Sequence, residues 1–371
     1  MAVLVGSSST GDLDAVVRRI DQPNVKLVVY FISTDQKEHG VAEALSQRYP
    51  RAACIGASMI GGWSSDGPLE RGITAMSLSE EEVETVFVSK TEGAKADPVR
   101  AGQQLVKDMR RKLGDNGLNP MEYVGILLVD GLCLGELVVK EIAMSRGFTV
   151  PVVGGAAADE LEFKETLVCA GSETSSDGAV LAVMKMRVPF YYGHFVHYVP
   201  TATEFLVTAA DPSKRVVWEI DGEPAAQHYA GLLGLSSVDD IAHAHFATHP
   251  LGVVIGDTVY ARSPNAVIDG RGLQFYCFIE AGTRMRLLKQ GDIVANARSA
   301  RKEAEDCLGG VQGAILFNCV LRYLEMKEEN TLAPFAEVFS GVPFVGFNTY
   351  GEELFTHHNQ TLTALFLGRN S

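Results

Sequence analysis

The chain reads as an α/β protein of two domains built from repeated strand–helix–strand units, with mixed sheets and a β-rich insert at the start of the second domain. Three observations predict this. One apolar phrase recurs three times: Val28-Val29-Tyr30-Phe31-Ile32-Ser33, Gly125-Ile126-Leu127-Leu128-Val129-Asp130-Gly131 and Ala314-Ile315-Leu316-Phe317-Asn318-Cys319. After each, a helical stretch leads to a proline and a short strand running into small residues: Pro50 with Ile55-Gly56-Ala57-Ser58, Pro151-Val152-Val153-Gly154-Gly155, and Pro343-Phe344-Val345-Gly346-Phe347. Alternating apolar strands then close the units at 73–78, 179–184 and 361–367. Strand ends that run into small or polar residues are where α/β proteins build sites.

Taken in order, residues 2–7 read as a strand, and Ser7-Ser8-Ser9-Thr10-Gly11-Asp12 as a loop and N-cap ahead of Leu13, Val16, Val17 and Ile20 at helical spacing. Glu84 to Val88 is a strand. Asp97 or Pro98 opens a helix that ends at Gly114 and the turn Asp115-Asn116-Gly117. Glu162 to Cys169 reads as a strand, and Ser175-Ser176-Asp177-Gly178 as a hairpin turn. Composition shifts at 189, where an aromatic, β-rich stretch begins, so the domains are drawn as 1–188 and 189–371. Pro224 opens a helix through Leu233, 251–280 is again β-rich, and 292–308 is a helix before the third unit.

The 371 residues carry a formal net charge of -14, with 46% hydrophobic and 21% charged residues. Length and composition suit two or three globular domains. The acidic balance argues against nucleic acid, since it repels phosphate backbones. Arg18-Arg19 and Arg110-Arg111-Lys112 are the local cationic runs, and both read as solvated helix faces. The start, Met1 to Gly6, has no basic n-region. The most apolar stretch, Tyr123 to Val139, is interrupted by Asp130 and Glu136, so membrane insertion is not expected. Six scattered cysteines without a C-x-x-C pair argue against a zinc ribbon or a disulfide framework and favour a reducing cytoplasm.

Candidate chemistry concentrates in the second half. His194 and His197 lie in a β context, where an i, i+3 pair points to opposite faces. His243 and His245 would share a face on a strand, but no H-E-x-x-H accompanies them. No metal site is expected. Asn318 and Cys319 end an apolar strand one helical turn before Arg322. Cys319 is either a nucleophile activated by a nearby cation or a buried thiol under the loop. Arg322 is either an anion hook or a structural partner of Glu352 or Glu353. Tyr350 and Glu352 follow the glycine-bearing strand, and Asn359 follows them. Asn318, Cys319, Arg322, Tyr350, Glu352 and Asn359 form the expected ligand-binding set. No P-loop, dinucleotide fingerprint or nucleophile elbow is present.

These phrases together resemble the FIST family of signalling proteins. The N-terminal likeness rests on Cys54-Ile55-Gly56-Ala57-Ser58, Val129-Asp130-Gly131 and Pro151 through Asp159. The C-terminal likeness rests on Val217 through Ala225, His249-Pro250-Leu251-Gly252, Phe317 through Arg322, Gly346 through Glu352 and His358-Asn359-Gln360-Thr361. The resemblance implies FIST N and FIST C domains and an intracellular sensor of a small ligand in signal transduction; the absence of a credible acid–base pair or nucleophile–base constellation in the sequence makes a non-catalytic role the expectation. Gly193 through Thr201 and Phe275-Tyr276-Cys277 also resemble the stand-alone NosP-like branch. That likeness implies haem, nitric oxide and a separate histidine kinase as partner. It does not say which histidine holds iron. The aromatic surroundings single out His197, then His194, as axial candidates. The alternatives are a FIST sensor of a small carboxylate or amino acid, an enzyme using Cys319 with His357 or His358, and a protein-interaction scaffold.

Overall fold

The computed structural model describes residues 3–114 and 119–369; the side chains of 37–39 and His243 lie outside the description, as does the expected turn at Asp115-Asn116-Gly117. The fold is mixed α/β, with nine α-helices among the described residues.

The first repeat comprises β1 (Leu4–Ser8), α1 (Leu13–Ile20), β2 (Val25–Ile32), α2 (Val41–Arg48), β3 (Ala53–Ser58), the hairpin β4 (Gly62–Ser64) and β5 (Gly67–Leu69), and β6 (Ile73–Ser79). The second repeats the order: β7 (Val83–Glu92), α3 (Pro98–Leu113), β8 (Tyr123–Val129), α4 (Gly135–Ala143), β9 (Val152–Ala156), the hairpin β10 (Val168–Ala170) and β11 (Glu173–Ser175), and β12 (Gly178–Met186). The third opens with β13 (Phe190–Phe195). A separate body is then inserted: β14 (Val199–Asp211), β15 (Val216–Ile220), β16 (Glu223–Pro224), α5 (Ala225–Leu232), α6 (His243–Thr248), β17 (Leu251–Ile255), β18 (Thr258–Arg262), β19 (Pro264–Ile268), β20 (Gly272–Phe275) and β21 (Arg284–Lys289). The third repeat resumes with α7 (Ile293–Leu308), β22 (Val311–Cys319), α8 (Val320–Glu328), α9 (Leu332–Val338), β23 (Phe344–Thr349), the hairpin β24 (Glu352–Leu354) and β25 (Thr356–His358), and β26 (Leu362–Gly368).

Two compact units result: residues 1–195, 297–357 and 362–371, and residues 196–296 with 358–361. This partition differs from the division at 188/189. The composition shift marks the start of the third repeat, and the β-rich insert interrupts that repeat after its first strand.

Within the first unit each repeat contributes a sheet of the same order. The sheets run β1-β6-β2-β3-β10-β11, β7-β12-β8-β9-β24-β25 and β13-β26-β22-β23-β4-β5. In each, the phrase strand pairs in parallel with the strand after its helix and antiparallel with the closing strand, which makes the sheets mixed. The two outermost strands on one side are always a hairpin from another repeat. The first repeat gives its hairpin to the third, the second to the first, and the third to the second. A hairpin alone is marginal in water, whereas one added to a sheet edge pairs its backbone and covers that edge.

The period-2 pattern of the strands explains the packing. Val29 and Phe31, Ile126 and Leu128, and Ile315 and Phe317 point into one core shared by all three sheets. There Phe31 stacks on Phe347 at 4.4 Å and meets Phe317 edge-on at 6.4 Å. The alternate residues face outward under helices: Val28, Tyr30 and Ile32 pack with Val16 and Leu45, and Leu127 and Val129 with Leu105 and Val138. Asp12 accepts from Ala15 N at the N-cap of α1, and Asp97, followed by Pro98, accepts from Arg100 N at that of α3.

The inserted unit is an eight-stranded antiparallel sheet, β18-β17-β21-β14-β15-β20-β19 with β16 beside β15. Its core gathers Phe205, Val217, Tyr229, Phe246, Leu273 and Met285.

Three local expectations are corrected. His197 is not on a strand, because β13 ends at Phe195 and β14 begins at Val199. The His243–His245 segment is helix α6, in which Ala242 N donates to His245 Nδ1, so the two histidines do not alternate along a strand. Of the expected strand 162–169 only Val168 and Cys169 lie in an observed strand, β10. Ahead of it Asp159 takes the N–H groups of Phe163, Lys164 and Glu165 at 2.8–3.2 Å, curling the chain into a loop with left-handed Leu161 and Phe163.

Candidate functional site

In the first unit the strand ends of the three repeats are joined by side chains. Asn318 and Asn348 end neighbouring parallel strands in register. Arg322 Nε donates to Asn318 Oδ1 at 3.0 Å, and Asn318 Nδ2 donates to Asn348 Oδ1 at 2.9 Å. The indole of Trp63, on the hairpin given by the first repeat, donates to the same oxygen at 2.9 Å. Asn348 Nδ2 returns the link to the carbonyls of Ile60 and Gly61 at 2.9 and 3.1 Å. All four side chains are fully buried. Trp63 also packs on Phe335 of α9 at 4.7 Å. Arg322 is thus tied into the junction between two repeats. Residue type alone did not single out Trp63 or Asn348; the signal that finds them is the register of Asn348 against Asn318 combined with the hairpin exchange.

Tyr350 turns to a different partner. Its hydroxyl donates to Asp159 of the second repeat, and Leu161 N donates to that hydroxyl at 3.1 Å. Phe163 stacks on the Tyr350 ring at 4.8 Å. Burial alone would raise the Asp159 carboxyl, but the Tyr350 hydroxyl and three backbone N–H groups outweigh it and hold the pKa below its ordinary value. Tyr350 itself is raised by burial and by that carboxylate. Thr34 of the first repeat donates to Glu160 in the same loop, while Thr166 donates to Asp130 at 2.6 Å. Loop 159–166 therefore bridges all three repeats. Removing the hydroxyl with Tyr350→Phe is expected to raise amide exchange in residues 160–165 by at least about tenfold, because a hydrogen bond to a carboxylate is worth about 1.5–3 kcal/mol. Unchanged exchange would free the loop from this latch.

The remaining candidates separate. Glu352 accepts from Thr349 Oγ1 on the β23–β24 turn. Glu353 Oε1 lies 2.9 Å from His357 Nδ1, both buried, and Gly351 leaves the room that the His357 ring fills. Cys319 is 2% exposed where β22 meets α8. Asn359 belongs to the second unit, with Gln360. There Gln360 Nε2 donates to Tyr198 Oη at 2.8 Å and Gln360 Oε1 accepts from Ser263 at 2.6 Å, while His358 stacks on Tyr260 at 5.6 Å. Arg322 and Asn318 of the expected ligand set are in direct contact; Tyr350 is engaged by the second repeat. Among the described residues, no group of three or more histidine, cysteine, aspartate or glutamate side chains is arranged to hold a metal ion.

Residues 26–223 match the FIST N domain and residues 225–354 match the FIST C domain. The chain belongs to the FIST family. The border between the two FIST domains falls at β16, inside the inserted body. The FIST chain is also 26% identical over 232 residues to an uncharacterized protein of Methanocaldococcus jannaschii, a match covering 59% of this chain and 43% of that relative. It thus spans less than half the length of the curated relative it matches. Among its described residues no helix is long and apolar enough to cross a membrane.

The two histidines suggested as haem ligands differ in their surroundings. His197 is 4% exposed, its ring lies 4.0 Å from that of Tyr198, and its carbonyl closes against Gly291. A porphyrin plane would have to displace that packing, so His197 does not fit as it stands. His194 is half-buried on β13, opposite Thr363. It shares a strand face with Phe190 and Tyr192, whose rings are 6.4 Å apart, and Phe355 meets Tyr192 at 5.9 Å. Burial lowers the His194 pKa below its ordinary 6.5, so the ring is neutral, the form that donates to iron. His194 therefore fits as a ligand on an aromatic surface.

That shift sets a sign. With the folded pKa below 6.5, the unfolded chain takes up the proton first as the pH drops. Stability contributed by neutral His194 is present above that value and lost as the pH falls through the folded pKa. Urea unfolding over about pH 5–7 should show a smaller acid loss for His194→Gln than for the wild type. Identical pH profiles would place His194 in an environment no different from water.

Proposed function

We propose that this FIST protein is a non-catalytic, haem-based sensor of nitric oxide that regulates a partner histidine kinase. The observation that carries the reading is the half-buried His194, its pKa lowered by burial, on the strand face of Phe190 and Tyr192. When bound there, haem held by His194 would supply an iron able to take up the gas. The chain's own part is to hold the ring nitrogen unprotonated and to cover one side with apolar surface. The two other ligand classes have weaker support. A carboxylate would have to reach Arg322, which is fully buried and bonded to Asn318. An enzyme would need a reachable Cys319, and its thiol is buried while His357 faces Glu353. The kinase partner comes from the family resemblance.

The test is hemin reconstitution of the full chain, reduction, and exposure to nitric oxide. A sharp Soret band that shifts with the gas is expected. Only the broad spectrum of adsorbed hemin would return the protein to a FIST sensor of another small ligand.

A further inference from the structure

We infer that the groove between α4 and the tip of the β24–β25 hairpin is a docking site for an acidic amphipathic helix of a partner protein. A cavity of about 210 Å³ lies there, lined by Val139, Ile142, Ala143, Phe148, Val150 and Phe355 among others. Its floor is core: Val139, Ile142, Phe148 and Val150 are at most 6% exposed. Its wall is Phe355, 55% exposed. The volume is below the roughly 300–1,000 Å³ of pockets that enclose a drug-sized molecule, and suits one large apolar side chain. On the other side of α4 a second, more open cavity of about 410 Å³ is bordered by Val106, Lys107, Arg110, Glu141 and Met144. Met144 is 73% exposed. α4 thus separates an apolar depression, sized for one large apolar anchor of a helix laid against it, from a more open one edged by Gln103, Lys107, Arg110 and Glu141.

Charge says what the occupant is. The chain as a whole carries -14, yet this face is cationic. Lys107 and Arg110 border the open cavity, with Glu141 the one carboxylate among its lining residues. Lys140 on α4 and Arg146 just after it are exposed. Cations beside an apolar depression complement a leucine flanked by glutamates and repel a second copy of this acidic chain. Two concave depressions with a protruding ring also suit inserted side chains better than a flat lipid surface.

Phe355 adds an independent sign. Its φ is +57°, a left-handed conformation that a bulky residue adopts rarely and at a cost, and asparagine or glycine would relieve it. Backbone strain at a ring that is more than half exposed points to a role beyond its packing on Tyr192. The inference supplies the partner chemistry of the sensory reading and rests on it only for the existence of a partner; haem loss and loss of docking are read by different signals.

The test uses the full chain and a labelled helical peptide with leucines at i, i+4 and i+7 flanked by glutamates, followed by fluorescence anisotropy. Saturable binding that weakens with salt is expected. Phe355→Asn should weaken it at least about tenfold while leaving the unfolding midpoint equal or higher. Lys107→Glu with Arg110→Glu should weaken it about tenfold and flatten the salt dependence. The inference is overturned by no saturation up to about 1 mM peptide, or by equal binding of the same peptide with lysines in place of glutamates. It is also overturned by a Phe355-dependent dimer in sedimentation, or by Phe355-dependent binding to anionic vesicles without peptide binding.

Discussion

Asn348→Ala is expected to destabilise the first unit by about 4 kcal/mol or more. Asn348 is the one side chain that the third repeat's own Asn318 and the first repeat's Trp63 both donate to. Its amide in turn serves the carbonyls of Ile60 and Gly61 at the entry to the hairpin given by the first repeat. Alanine would leave the buried indole N–H and Asn318 Nδ2 without this acceptor and the Ile60 carbonyl without this donor, while the Gly61 carbonyl keeps the backbone N–H of residue 348. Each buried polar group so stranded costs about 1–3 kcal/mol, and the deletions act on one network. Urea unfolding should show the loss as a lower midpoint, and amide exchange in β4 and β5 should rise before that of the central strands. A loss below about 1 kcal/mol would mean that the hairpin exchange is held by β4–β23 backbone pairing alone.

Gly154→Ala should be comparably damaging for a different reason. Gly154 lies in β9 in register with Leu127 of β8. A Cβ there would stand 1.9 Å from the Leu127 carbonyl oxygen and 2.7 Å from its carbon, which are backbone atoms and not a flexible side-chain end. Relief requires moving one strand of the sheet whose alternate residues fill both the shared core and the layer under α3 and α4. Overpacking of well-filled cores costs about 1–3 kcal/mol, and a rigid neighbour puts this site at the upper end or beyond. The expected result is a drop of about 3 kcal/mol in urea unfolding with an unchanged slope. Tolerance within about 0.5 kcal/mol would show that β8 and β9 can separate freely at this point.

The repeats were legible because strands buried on both faces read as continuous apolar runs, and three such runs with the same punctuation leave little room for another assignment. The third repeat's interruption was half legible. The aromatic run from Phe190 marks β13, but nothing local says that the chain leaves after Phe195 and returns at α7. The hairpin exchange was hidden, since pairing between Val345 and Ser64 or Glu352 and Gly155 spans hundreds of residues in sequence. At the site, Asn318 and Arg322 stood out by residue type, one at the end of a strand and the other in the first turn of the helix that follows. Trp63 and Asn348 did not, because their roles depend on that exchange. Asp159 was read as the end of a small-residue run; its carboxylate accepts from three backbone N–H groups, and a loop replaces the expected strand at 162–167. The choice between His194 and His197 turned on burial, which composition does not carry.

The sensory account is tested most directly by the absorption spectrum of hemin-reconstituted protein compared across three forms: wild type, His194→Ala and His197→Ala. A sharp Soret band in the wild type and in His197→Ala, lost in His194→Ala while circular dichroism shows that variant folded, is the result the account predicts. A sharp band that survives in folded His194→Ala, or that is absent from all three, would contradict it.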